Sequence, residues 1–321
     1  MIELSVIIPT HKRKDYILYE LEQIYKQQDV NFEVIVVNDI EEDDETDVIL
    51  KRFPQIIYIK DSKIQGPSNK HKAGYRIAKG NYLYMPDDDD YLTDIYFFRK
   101  AIDIMAQDSN LSFVSGQCQI SYEFEDTSKN YLKSHATTNV GRIDGANYLQ
   151  EFQHKISKPL STVSTIFRKR AFDETDAINM IEMSDSSMYM QALLWGDSYI
   201  MEDMVAVYRV KGSSLTSTAS YSFMKNVIEQ KELLYKKTIG YVAHPKKFWA
   251  QQFILTYNFW PNKSIDDIKK ILNWLCLHLH GSVELYLFII KELLKLTIKR
   301  TISIFQIKGK ENTLQTKQKK D

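Results

Sequence analysis

The sequence predicts an α/β protein: a mainly parallel sheet with helices on both faces, followed by a C-terminal helical region. Three observations predict it. Over about the first 95 residues, short β-branched runs alternate with stretches of helical periodicity, and strand–helix–strand repetition implies parallel strands joined by crossovers. After about residue 220 the apolar spacing is helical throughout. The charge balance shifts at the same place. Residues 1–221 hold 24 Lys+Arg against 34 Asp+Glu, residues 222–321 hold 18 against 8, and the whole chain is neutral.

Each element follows from its residues. Leu4-Ser5-Val6-Ile7-Ile8 is a buried strand ended by Pro9. Asp15 to Gln28 is a helix with Ile17, Leu18, Leu21, Ile24 and Tyr25 at helical spacing. Phe32 to Val37 is a second strand, stopping at Asn38-Asp39, and Asp47 to Phe53 a helical piece. Ile56 to Ile59 is a third strand. Pro67 to Lys79 is a helix with Pro in its first turn and Gly80 just past its end. Tyr82 to Met85 is a fourth strand, ended by Pro86. Further on, Tyr221 to Lys237, Lys246 to Asn258, Ile265 to His280 and Val283 to Phe305 have helical periodicity. The expected division is an α/β domain over 1–220, a helical region over 221–308 and a disordered polar tail over 309–321.

Composition excludes several classes. With 44% hydrophobic and 26% charged residues, the bulk of the 321-residue chain is neither disordered, collagen-like nor of low complexity. Cys118 and Cys276 are the only cysteines, which excludes a disulfide framework and a CxxC zinc site. The start, Met1-Ile2-Glu3-Leu4-Ser5, does not read as a secretory signal. The longest uninterrupted apolar run near the C-terminus, Leu285 to Ile290, is too short for a membrane span. A cytoplasmic location is expected.

The strongest chemical signal is Asp87-Asp88-Asp89-Asp90, at the carboxyl end of the fourth strand. Ligands of such sheets bind at strand carboxyl ends. Four adjacent carboxylates repel one another unless a cation neutralises them. A hard divalent ion with oxygen ligands suits them. A solvated acidic turn is the competing reading, and it is the one adopted for Glu41 to Glu45, which has no apolar framing.

Four segments in order, Ser5 to Thr10, Phe32 to Asp39, Gly66-Pro67-Ser68 and Gly80 to Asp90, resemble family 2 glycosyltransferases of the GT-A fold. The resemblance implies an inverting transferase that moves a sugar from a nucleotide-diphospho-sugar, of the UDP type, to a glycan or lipid-linked hydroxyl in bacterial surface-polysaccharide synthesis. It implies that Pro9 and Thr10 line the uridine pocket and that Asp39 hydrogen-bonds the base. Asp87 or Asp88 then faces the ribose, and Asp89 binds a divalent cation, Mn²⁺ or Mg²⁺, bridging the diphosphate. The family's Arg-Asn pair is replaced by His71-Lys72, with Lys70 before them as the retained cation; His71 itself reads as surface or packing.

The second half of the pattern is looser. Ile166 to Phe172 resembles the strand and turn before the catalytic segment, and Met183 to Gly196 resembles the family's acidic-start helix. Asp185 matches the catalytic base, with Ser184 as the helix cap that fixes its direction. Val205 to Lys211 resembles the closing strand with its Tyr-Arg pair, Lys211 standing where the family often has His. Gln191 to Trp195 lacks the Arg of a processive synthase's motif.

Two other readings stay open: a nucleotidyltransferase of related fold, and a non-catalytic nucleotide-sugar-binding scaffold. The first usually carries a glycine-rich basic loop after the first strand, whereas this chain has Thr10-His11-Lys12-Arg13. No nucleic-acid partner is expected. Lys291, Lys295, Lys299, Arg300 and Lys308 alternate with apolar residues. They suggest either a packing helix or peripheral contact with the inner face of the cell membrane.

Overall fold

The computed structural model describes residues 1–40, 45–124, 126–137, 139–210, 220–260, 263–278, 282, 283 and 285–295. The first elements are β1 (Leu4–Thr10), α1 (Lys14–Ile24), β2 (Phe32–Asn38), α2 (Thr46–Leu50), β3 (Ile57–Lys60), α3 (Pro67–Ile77) and β4 (Tyr82–Tyr84). Then come β5 (Tyr91–Leu92), α4 (Phe97–Gln107), β6 (Leu111–Tyr122), β7 (Tyr131–His135), β8 (Gly141–Ile143), α5 (Gly145–Gln150) and β9 (Thr165–Arg168). The rest are α6 (Lys169–Glu174), α7 (Asp185–Leu193), β10 (Asp197–Val210), α8 (Tyr221–Thr238), α9 (Pro245–Phe259) and α10 (Ile265–Leu277).

One mixed sheet runs in the order β3-β2-β1-β4-β9-β6-β10-β5, with β7 paired to β6 and β8 to β10. The first four strands are mutually parallel, as their crossover spacing requires. All seven residues of β1 are buried, which explains why it is mostly apolar, with Ser5 and Thr10 as its buried polar residues. β9 is antiparallel to both β4 and β6, while β6 and β10 form the longest parallel ladder.

Two apolar layers cover the sheet. On one face Ile17 and Leu21 of α1 and Phe97 and Phe98 of α4 pack on Val6, Ile8 and Val34. On the other, Met188, Tyr189 and Leu193 of α7 and Phe172 of α6 pack on Ile7, Ile35 and Phe167. Each such fully buried side chain contributes about 1.5–3 kcal/mol. A third cluster joins Met224 and Ile228 of α8, Trp249 and Phe253 of α9 and Trp274 of α10 with Leu285 and Ile289.

Two glycines locate α3. Gly66, before its first residue, has φ +80°, a left-handed conformation that favours glycine. Gly80 was expected as the glycine just past the helix end, but α3 stops at Ile77 and Ala78 is extended. Gly80 instead allows close approach: a Cβ there would lie 2.5 Å from the backbone nitrogen of Ser5 in β1.

Part of the expected basic helix is described. Leu285 and Ile289 are buried, Leu287 and Leu294 are exposed, and Lys295 pairs with Glu292 at 2.6 Å. Lys299, Arg300, Lys308, Lys211 and the 309–321 tail lie outside the described residues, as do residues 41–44 of the acidic loop. Among the described residues no helix is long and apolar enough to cross a membrane.

Candidate active site

The parallel strands β1 and β2 end together, with Thr10 beside Asn38, and β4 stops beside Val6 so that the chain after it runs on along the end of β1. Pro9 and Thr10 close β1, Asn38 closes β2 with Asp39 next, and Pro86 to Asp90 follow β4. The Asp39 carboxylate is buried. It pairs with Lys70 Nζ at 3.1 Å and lies 2.7 Å from His11 Nδ1. It also accepts the Gly66 N–H at 3.2 Å. Burial alone would raise its pKa, but these hydrogen bonds and the Lys70 charge hold it below the usual carboxylate range. Lys70 Nζ also donates to the Thr10 carbonyl at 2.9 Å. Lys70 therefore ties the ends of β1 and β2 to the first turn of α3.

The four aspartates have different surroundings. Asp88 is turned inward, accepting from Thr10 Oγ1 at 2.8 Å and pairing with Arg13 Nη1 at 2.9 Å. The same Arg13 nitrogen reaches Asp89 Oδ2 at 2.7 Å. Asp90 is fully buried and accepts from Ser161 Oγ and the Arg209 N–H, each at 2.9 Å. Asp87 is half-buried. Burial first, then the negative charge of Asp185, Asp89 and Asp88, pushes its carboxyl up to about 8. Burial and the neighbouring aspartates likewise raise Asp90 well above the usual range. Beneath the loop Glu20 of α1 is fully buried, and burial followed by the charges of Asp88 and Asp90 raises it too. The site carries more carboxyl groups than Arg13 can neutralise.

Asp185 is the first residue of α7 and one-third exposed. Lys158 Nζ stands 3.7 Å from its Oδ2 and donates to the carbonyls of Pro159 and Leu160 at 3.0 and 2.8 Å. The expected cap is corrected here: Ser184 occupies the cap position, but its hydroxyl lies 3.0 Å from Ser187 Oγ and caps no backbone N–H. Lys158 rather than a cap accompanies the Asp185 carboxylate. The segment before α7 is tied to the start of α3, since Ser68 Oγ donates to Glu182 Oε2 at 2.6 Å and accepts the Met183 N–H at 2.8 Å.

Arg209 closes the far wall. Its guanidinium donates to the Asp89 carbonyl at 2.8 Å, pairs with Glu123 at 2.9 Å and lies over the Tyr91 ring at 4.5 Å. Burial and the charges of Asp90, Asp185, Asp87 and Asp89 raise the neighbouring Tyr208 phenol. His71 is buried, as a packing residue would be; burial and then Lys70 push its imidazole down to about 4. A cavity of about 780 Å³ between the end of α8, the start of α9 and residues 282–288 shares no residue with this site.

Pro9, Thr10, Asp39, Lys70, Asp87, Asp88, Asp89 and Asp185 thus gather at one end of the sheet. Sequence reasoning missed Arg13, Lys158, Asp90's anchoring role and Arg209's guanidinium. The basic run His11-Lys12-Arg13 after β1 was a usable signal for Arg13. A lone Lys158 before a proline carried none.

The glycosyl transferase family 2 model matches residues 5–195, and the chain belongs to that family. Among curated relatives, an uncharacterized glycosyltransferase of Haemophilus influenzae is 31% identical over 111 residues, 35% of this chain and 37% of that protein. The Escherichia coli UDP-Glc:α-D-GlcNAc-diphosphoundecaprenol β-1,3-glucosyltransferase WfaP is 35% identical over 89 residues, covering 27% and 36% of the two chains. The match thus spans little more than a third of either relative's length. The crystal structure of Staphylococcus aureus TarS 1–349 in complex with UDP has a TM-score of 0.62 at 16% identity, covering 85% of this chain and 79% of that one. The Pyrobaculum calidifontis mannosyltransferase PcManGT with GDP-Man and Mn²⁺ has a TM-score of 0.51 at 14% identity, covering 92% and 86%. These likenesses show the GT-A fold.

Proposed function

We propose that the protein transfers a sugar from a nucleotide-diphospho-sugar, of the UDP type, to a hydroxyl of a bacterial surface glycan or its lipid-linked precursor, with inversion. One observation carries the reading: the Asp39–Lys70–Thr10 cluster, the aspartate loop and Asp185 share one end of the sheet, with Asp185 close enough to raise Asp87. In this reading Pro9, Thr10, Asp39 and Lys70 hold the nucleotide. Asp87 faces the ribose, because both oxygens of Asp88 are engaged with Thr10 and Arg13.

The donor set fits a hard divalent cation: hard oxygen ligands crowd one loop, and burial with the repulsion between these carboxyl groups raises Asp87. Among the described residues no group of three or more His, Cys, Asp or Glu is arranged as a complete metal cage. Asp89 would hold Mn²⁺ or Mg²⁺, an ion that also takes phosphate oxygens as ligands. When bound, the ion neutralises charge growing on the departing diphosphate.

Asp185 accepts the proton of the attacking hydroxyl, which requires hydrogen-bond reach of that hydroxyl. Its one-third exposure leaves room for an acceptor. Direct displacement by that hydroxyl inverts the anomeric carbon. Residues 1–220 are the proposed catalytic domain and the later helices an accessory region, with peripheral membrane contact through the basic segment around Lys291 and Lys295. WfaP, whose name gives a diphosphoundecaprenol-linked acceptor, supports a lipid-linked acceptor for this chain.

A thermal-shift screen of nucleotide sugars with Mn²⁺ tests the reading. A donor that binds only the native state raises the melting temperature. A shift with one UDP-sugar supports the proposal, and no shift with any nucleotide or nucleotide sugar removes it.

A further inference from the structure

An exposed aromatic stack stands beside the site. Tyr122, at the end of β6, lies opposite Tyr131 of β7, with ring centroids 4.7 Å apart and planes 20° from parallel. Phe124 extends the stack, 6.3 Å from Tyr131 at 25°. Tyr131 is 52% exposed and Phe124 47%. Stacking of a cross-strand pair stabilises a hairpin, but it does not require the outer ring faces to be open to water.

The register puts this stack on the sheet face of Tyr208, at the end where the Arg209 N–H meets Asp90. On β10, Tyr208 lies beside Ile120 and Val210 beside Tyr122. Alternation puts Ile120 and Tyr122 on one face of β6, and neighbouring strands in register share that face with Tyr208. The Tyr208 phenol feels Asp90, Asp185, Asp87 and Asp89. Tyr122 is two residues further out, about 7 Å along the strand, which is the scale of one sugar unit. Lys133, two residues from Tyr131 and so on its face, is exposed and has no ion-pair partner among the described residues. A flat apolar surface with a hydrogen-bond donor at its rim suits a pyranose, which offers one face of C–H groups and an edge of hydroxyls.

We propose that Tyr122, Phe124 and Tyr131 form an acceptor subsite on which a pyranose of the glycan stacks, one unit away from the sugar whose hydroxyl reacts. The subsite gives the acceptor reading its substrate class, a saccharide at least two units long, and it rests on the transfer reading above. Lys133 donates to a hydroxyl of the stacked ring.

The test uses the full chain with cellobiose and chitobiose as probes and ribitol as a control without a ring. Saturation-transfer NMR reads the sugars, calorimetry reads UDP, and sedimentation reads the oligomeric state. The expected result is transfer to the C–H groups of a disaccharide and not to ribitol. Tyr131→Ala weakens disaccharide binding about tenfold, the scale of one aromatic contact, and Tyr131→Trp retains it. UDP affinity is the same in all three proteins. Equal disaccharide binding in Tyr131→Ala, or none in the wild type, overturns the subsite. A change of oligomeric state in Tyr131→Ala without loss of sugar binding does so too, because the face then buries a second copy. Failure of the wild type to bind UDP counts against the donor reading and leaves the sugar result to stand by itself.

Discussion

Lys158 Nζ lies 3.7 Å from Asp185 Oδ2, and two backbone carbonyls hold the same ammonium in place. The ion pair is too long for a direct hydrogen bond, so Lys158 leaves the lone pairs of that Asp185 oxygen open. Lys158 also lies 5.7 Å from the Tyr189 ring centroid, which restricts it further. The pair therefore orients the proposed base without blocking it.

Lys158→Met is expected to lower turnover about tenfold, less than the roughly 10² or more that loss of the base itself costs, while leaving UDP affinity unchanged. Steady-state kinetics beside UDP calorimetry checks this. Unchanged turnover means that the ion pair is idle.

In the proposed function Asp88 is a clamp and Asp89 the metal ligand. Asp89→Asn is expected to abolish the Mn²⁺-dependent part of UDP binding, read by calorimetry with and without the metal. Asp88→Asn keeps that metal dependence but lowers the melting temperature, because Asp88 joins Thr10 to Arg13 inside the protein. A reversed pattern would exchange the two roles.

Lys231 of α8 is buried, and among the described residues its Nζ reaches the Gln252 carbonyl at 3.5 Å. Burial pushes it from 10.5 down to about 7. The unfolded chain then binds more protons than the folded one between pH 7 and 10.5, so this residue makes stability rise with pH across that window. Below pH 7 the penalty is complete, about 1.4 kcal/mol for every tenfold loss of proton affinity. Lys231→Met should raise the melting temperature at pH 7 by about 3 °C or more, with the gain shrinking towards pH 10. A gain independent of pH would mean better packing and not a relieved charge.

Much of this was legible because local chemistry and global fold agree. The mainly apolar Leu4 to Ile8 run, the Pro67 start of α3 and the aspartates after β4 point in turn to a strand, a helix start and a strand end, and each is found there. Asp39 and Lys70 were readable as candidate site residues, but not their mutual ion pair, which depends on how α3 crosses the sheet. Residues 110–165 were opaque for a physical reason. β6, β7 and β8 pair antiparallel or out of chain order, and the β10 ladder shifts register between Ile200 and Met204, so no single period runs through them. Ser184 looked like a cap from its type and place, and only the observed rotation of its hydroxyl towards Ser187 removes it. Lys158 carries no local signature; its meaning comes from the fold bringing it to α7.

The central claim is that this site transfers a sugar with Asp185 as the base. The most direct measurement is release of the free nucleoside diphosphate from a panel of nucleotide sugars, with saccharide and lipid-linked acceptors and Mn²⁺, by wild type and Asp185→Asn. The account predicts acceptor-dependent release of UDP by the wild type and a loss of about 10² or more in Asp185→Asn, with UDP affinity equal in the two. Equal release by both proteins, or loss of UDP binding together with release, would contradict it.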